Sequence, residues 1–128
     1  MRIEHLAIWV YDLEGMREFY ELYFGAKAGV KYVNPKKNFS SYFLEFAEGA
    51  RLEIMQKPDI PVFGAPGTEK MGFVHLAISV GTKNKVDELT EKLRKNGMRI
   101  LGESRTTGDG YYESVVLDPE GNRIELTV

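Results

Sequence analysis

Two histidines and two glutamates are the residues of this chain best suited by type and spacing to do chemistry. His5 and His75 are its only histidines, and each opens a near-identical stretch, "HLAIWV" at 5–10 and "HLAISV" at 75–80, at an offset of 70. Glu53 and Glu125 lie in a second duplicated stretch, "RLEIM" at 51–55 and "RIELT" at 123–127, at an offset of 72. Imidazole and carboxylate are borderline-to-hard ligands for first-row divalent metals. Two of each leave open octahedral positions for water or substrate oxygens.

Taken singly, none of these residues points to a site. A lone histidine in an apolar strand is more often a hydrogen-bonded structural residue, and Arg-x-Glu on an alternating strand is most often a solvated sheet face. The quartet reads differently because both histidines occupy equivalent repeat positions and each repeat pairs one with one carboxylate. His5, Glu53, His75 and Glu125 are therefore the candidate metal ligands.

The elements that must position them repeat as well. Leu13, Met16, Tyr20 and Phe24 in the first half, and Val86, Leu89 and Leu93 in the second, have the three-to-four spacing of one buried helical face. Each stretch ends on a glycine, Gly25 or Gly97, suited to the left-handed position just past a helix. Each half reads as strand, helix, strand, strand, strand: about 2–10, 13–24, 28–33, 40–47 and 50–56, then about 73–80, 84–96, 98–103, 111–117 and 122–128. "AEGA" at 47–50 and "DPEGN" at 118–122 are turns that make hairpins of the last two strands of each half. The fold class is α+β, with module 1 at about 1–57, a Pro- and Gly-rich connector at about 58–72 and module 2 at about 73–128.

Period-two alternation sorts the faces. Leu6, Ile8, Val10, Leu52 and Ile54 would pack on the first helix, leaving His5, Ala7, Trp9, Arg51, Glu53 and Met55 on the other side. Leu76, Ile78, Val80, Ile124 and Leu126 likewise leave His75, Ala77, Ser79, Arg123, Glu125 and Thr127 together. All four candidate ligands fall on helix-free faces, which two curved sheets could turn toward a shared cavity.

Bulk properties exclude other classes. At 128 residues the chain has the size of one compact domain, and 17 basic against 19 acidic residues, with no basic run, argue against a nucleic-acid partner. The absence of cysteine excludes disulfides, thiolate metal sites and thiol nucleophiles. The N-terminus lacks a long apolar run and a small-residue cleavage pattern, and no stretch has membrane-spanning length, so a cytoplasmic location away from membranes is expected.

With this set of residues the chain resembles the vicinal oxygen chelate superfamily, which includes glyoxalase I, methylmalonyl-CoA epimerase, extradiol dioxygenases, fosfomycin-resistance proteins and bleomycin-binding proteins. "FYELYFGAK" at 19–27 and above all "LDPEGNRIEL" at 117–126 carry the likeness, which spans essentially the whole chain. The resemblance implies two βαβββ modules, each a curved mixed sheet with a helix on its outer face, forming an incomplete β-barrel around a metal-binding cavity. It implies a divalent ion, nickel, cobalt or zinc with iron or manganese as further options, on His5, Glu53, His75 and Glu125. A carboxylate at Glu53 is the glyoxalase I pattern, whereas the epimerase has Gln there and the dioxygenases bring a further acid–base histidine that this chain lacks. The implied chemistry is that of a lyase or isomerase of the lactoylglutathione-lyase type. A small substrate with adjacent oxygens, a hemithioacetal or α-hydroxycarbonyl, would pass through a chelated enediolate, with Glu125 moving the proton and Glu53 as the second catalytic carboxylate. A bleomycin-type sequestering protein without catalysis and a metal-dependent dioxygenase are the alternatives. A homodimer is expected.

Trp9 and Lys57 stand where glutathione-dependent glyoxalase I carries Arg and Asn, so the resemblance does not reach the usual glutathione carboxylate pocket. Trp9, Met55 and Phe43 are instead expected to wall an apolar cavity, unless they are ordinary core. Arg51 and Arg123 either hold an anionic substrate or pair with Glu53 and Glu125. In "RTTGDGYYE", read as a loop entering a strand, Tyr111 or Tyr112 either presents its hydroxyl to substrate or is an ordinary strand aromatic.

Overall fold

A computed structural model describes residues 1–62, 64–69 and 71–128. Contacts divide the chain into two units, Met1–Val62 and the remainder, and the division falls inside the expected connector. Phe63 and Lys70 of that connector lie outside the described residues.

The first unit runs β1 (His5–Trp9), α1 (Leu13–Phe24), β2 (Lys27–Ala28), β3 (Tyr32–Asn34), a 3-10 turn (Pro35–Lys37), β4 (Phe39–Glu45) and β5 (Arg51–Gln56). Its sheet has the order β1-β5-β4-β2, with β3 also on β4; β1 is parallel to β5 and the other pairs are antiparallel. The second unit runs β6 (Leu76–Ser79), α2 (Lys83–Lys95), β7 (Ile100–Thr106), β8 (Tyr112–Leu117) and β9 (Arg123–Thr127), in the order β6-β9-β8-β7 with β6 parallel to β9. The α+β class and the mixed sheet of each module are as expected. The single strand expected at 28–33 is instead two short ones. Gly29 still donates to the Phe43 carbonyl of β4 at 2.9 Å, but the two residues after it leave the ladder, and Pro35, which has no amide hydrogen to donate, starts the 3-10 turn capped by Asn34. In the second unit β7 runs on to Thr106 through two register shifts against β8.

Both helices start on a side-chain cap. Asp12 Oδ1 accepts from the Gly15 amide at 2.9 Å and Thr82 Oγ1 from the Lys85 amide at 3.2 Å. Gly25 (φ 64°) and Gly97 (φ 85°) take the left-handed conformation just past the last turns. Leu13, Met16, Phe19 and Tyr20 of α1 are buried, as are Leu44, Leu52 and Ile54 of the sheet, which α1 covers. In the second unit Val86 and Leu93 of α2 are buried with Val116, Ile124 and Leu126. Each such side chain contributes roughly 1.5–3 kcal/mol when taken fully out of water. Phe24 and Leu89 are only half-buried, and Thr90 takes the interior place beside Leu89. The alternation is as the pattern demands: Leu52, Ile54, Ile124 and Leu126 are at most 2% exposed, whereas Glu53 and Glu125 between them are half-buried on the opposite face. No helix among the described residues is long and apolar enough to cross a membrane.

Candidate metal-binding faces

In the first unit the imidazole comes from the first residue of β1 and in the second from the residue just before β6, and in each the carboxylate comes from the parallel neighbour strand. Register places Ala7 beside Glu53 and Ala77 beside Glu125. An alanine there leaves space next to the carboxylate, and the histidine two residues earlier reaches across the face. His5 Nε2 lies 4.0 Å from Glu53 Oε2, and His75 Nε2 lies 3.4 Å from Glu125 Oε2.

The surroundings of the two pairs differ. In the first unit Glu4 bridges His5 and Arg51, one oxygen on His5 Nδ1 and the other accepting from an Arg51 guanidinium nitrogen. The hydrogen bond with His5, and then that with Arg51, hold the Glu4 carboxyl below the usual carboxylate range. Arg51 also lies over the Phe43 ring at 4.2 Å, and His5 meets that ring edge-on at 5.2 Å. In the second unit burial pushes the Glu125 carboxyl above its usual range, the negative charge of Glu113 adds to this and His75 opposes it. Glu113, on β8, shares the Glu125 face and is held by Arg105 at 3.4 Å.

Neither arginine of the duplicated strands pairs with the glutamate two residues on. Arg51 is taken by Glu4. Arg123 donates through Nε and a terminal nitrogen to the Gly67 carbonyl, at 3.1 and 2.7 Å, and meets Glu69 at 3.2 Å. The reason is tertiary: the segments at 4 and at 67–69 return over the strand ends and present better-placed acceptors. Among the described residues, Glu53 and Glu125 have no lysine or arginine partner.

Trp9, Met55 and Phe43 share the Glu53 face by register, as expected. Trp9 is 40% exposed, meets Phe39 edge-on at 6.1 Å and has the Lys57 ammonium 5.5 Å from its ring. Tyr112 is elsewhere. Its neighbour Glu113 faces the carboxylate side, so Tyr112 faces the helix, where its hydroxyl donates to Asp87 Oδ1 of α2 at 2.8 Å and Lys83 covers its ring at 5.1 Å. It lies off the Glu125 face.

The residues fit a divalent ion of the nitrogen- and oxygen-loving kind. Two donors bound to one first-row ion at about 2.0–2.2 Å each stand about 3 Å apart, so each pair needs only a small rotamer adjustment. Among the described residues no three histidine, aspartate or glutamate side chains gather as a metal site, and each unit holds one imidazole–carboxylate pair.

Residues 2–126 match the model of the Glyoxalase/Bleomycin resistance protein/Dioxygenase superfamily, and the chain belongs to that superfamily. It is 30% identical over 127 residues to the uncharacterized protein YqjT of Bacillus subtilis (strain 168), covering 97% of this chain and 96% of that one. It is 29% identical over 130 residues to the lactoylglutathione lyase of Escherichia coli O157:H7, covering 98% and 91%. Among solved structures it superimposes on the V278E mutant of glyoxalase I from Zea mays with a TM-score of 0.79 and 26% identity; 98% of this chain is covered, but it spans only 44% of the maize chain.

Proposed function

We propose that the protein is a metal-dependent glyoxalase-I-like lyase or isomerase in which His5, Glu53, His75 and Glu125 hold one divalent ion. Its substrate is small and carries two adjacent oxygens, as a hemithioacetal or α-hydroxycarbonyl does. The observation that supports this above all others is the repeated pairing of imidazole Nε2 with a carboxylate oxygen, at 4.0 and 3.4 Å, with no lysine or arginine on either glutamate among the described residues. Similarity to lactoylglutathione lyase and to glyoxalase I points the same way.

A bound nickel, cobalt or zinc ion, or iron or manganese in their place, would polarise the two substrate oxygens and acidify the C–H between them. Glu125 takes that proton on a carboxylate oxygen and returns it to the neighbouring carbon, so the isomerisation consumes no net acid or base. Burial and the adjacent Glu113 raise the basicity of the metal-free carboxylate; a bound dication would lower it and acidify the substrate C–H together, which keeps acid and base matched. Glu53 is the second carboxylate of the set. Ser41, at the place matching Glu113, adds no negative charge beside it. Trp9, Met55 and Phe43 line the substrate's apolar side, and Arg51 and Arg123 act on neighbouring protein segments. The same reading takes the protein as a cytoplasmic homodimer.

Elemental analysis of the purified protein, combined with a hemithioacetal isomerisation assay using glutathione and other thiols, tests the proposal. Stoichiometric divalent metal with activity is expected, and both should be lost in His5→Ala and Glu125→Ala. Unchanged metal content in those variants would overturn it. A metal-free preparation that binds a planar aromatic ligand with micromolar affinity would favour a sequestering protein instead.

A further inference from the structure

The two histidines occupy equivalent positions, but among the described residues only His5 has a carboxylate on Nδ1. Glu4 puts one carboxylate oxygen on His5 Nδ1 and is itself gripped by Arg51, whose guanidinium stacks on Phe43. Phe43 in turn meets the His5 ring edge-on, so Glu4 and Phe43 both lie against the imidazole, which stays partly exposed. In the second repeat Val74 stands where Glu4 stands in the first and offers His75 no carboxylate.

From this we infer that Glu4, fixed by Arg51, is a positioning residue that sets the tautomer of His5, holding the proton on Nδ1 and presenting the Nε2 lone pair toward Glu53. A carboxylate on one ring nitrogen makes that nitrogen the donor and leaves the other as the acceptor or ligand. Nε2 is the nitrogen that faces Glu53, at 4.0 Å and outside hydrogen-bond reach, so no described carboxylate accepts a proton from it. Glu4 touches neither substrate nor ion; it acts through His5. The inference rests on the proposed metal-dependent function for its purpose, but not for its geometry.

The chain has two histidines only, so its imidazole nitrogen resonances give an internal comparison: His5 with a carboxylate behind it, His75 without. In metal-free protein above the ordinary histidine pKa, nitrogen-15 spectra should show His5 as the Nδ1–H form. Glu4→Ala should shift His5 toward the Nε2–H form without moving His75. Glu4→Gln, which keeps an acceptor oxygen, should retain much of the wild-type pattern. Metal affinity by chelator competition should fall about tenfold or more in Glu4→Ala, within the range found for such outer residues, with less loss in Glu4→Gln. If His5 is already the Nε2–H form in the wild type, or if Glu4→Ala leaves its two nitrogen shifts unchanged, the inference is overturned. If the tautomer result stands and the wild type takes up no metal, it is the functional proposal that fails.

Discussion

Thr90 Oγ1 and Ser114 Oγ lie 2.7 Å apart in the interior of the second module, where both residues are at most 2% exposed, and they tie α2 to β8. Thr90 also reaches the Val86 carbonyl at 2.6 Å, so neither hydroxyl wants for a partner. Thr90→Val removes one half of the pair and strands the Ser114 hydroxyl, which should cost about 1–3 kcal/mol in urea unfolding. The double variant Thr90→Val with Ser114→Ala should recover part of that loss, because no buried hydroxyl is left unpaired. Additive losses in the two single variants and the double would contradict this account.

Arg123 holds residues 64–69 against the β8–β9 turn. The Gly67 amide completes the contact on the Gly121 carbonyl at 3.2 Å. Arg123→Ala should lower stability by about 1–2 kcal/mol, since a charged donor is lost from a backbone acceptor. It should also speed hydrogen exchange at the Gly67 amide. Gly121→Ala should do the same by another route, as a β-carbon there would fall 2.4 Å from Pro66 Cβ on a backbone with φ of 87°. Unaltered exchange at Gly67 in both variants would show that the segment is held by other contacts.

Glu14, in the first turn of α1, accepts from Lys31 at 2.9 Å, Arg17 at 3.0 Å and Tyr42 at 3.1 Å. The hydrogen bonds from Lys31 and then Arg17 lower its pKa from 4.5 to about 2. A carboxyl depressed in the folded state stabilises above its unfolded value and loses that contribution as pH falls through the folded one. Stability should therefore decline between about pH 4.5 and 2, and Glu14→Gln should remove part of that slope while changing little at low pH. Parallel pH profiles for wild type and variant would refute the assignment.

Under the proposed chemistry, Glu125→Gln should reduce kcat by about a hundredfold or more while disturbing KM less, since the amide cannot accept the proton. Phe43→Leu, which keeps an apolar wall, should alter KM more than kcat. Retention of wild-type kcat in Glu125→Gln would assign proton transfer to another group.

Much of this was legible in the residues themselves, and the reasons are local. The period-two pattern sorts Leu52 and Ile54 from Glu53, and Ile124 and Leu126 from Glu125, because side-chain direction along a strand needs no knowledge of its neighbours. Gly25 and Gly97 mark helix ends for the same kind of reason. What was not legible depends on segments far apart in the chain. The side taken by Tyr112 follows from the register of β8 on β9. The partners of Arg51 and Arg123 come from residues returning near Glu4 and Gly67. The break between β2 and β3 had a visible signal in Gly29, outweighed by the apolar and β-branched residues around it. Glu4 carries no periodic signal, and only its contrast with Val74 in the repeat marks it.

The offset between repeats is 70 at the histidines and at the helix caps Asp12 and Thr82, but 72 at Gly25 and Gly97 and at the glutamates. The two extra residues of the second repeat therefore enter between the cap and the glycine, in the helical layer, where α2 has 13 residues to the 12 of α1. Ala77 still stands beside Glu125 as Ala7 stands beside Glu53. The helix thus serves as slack in the chain: a change of length has been absorbed there, and the strands that carry the four candidate ligands have kept their alignment.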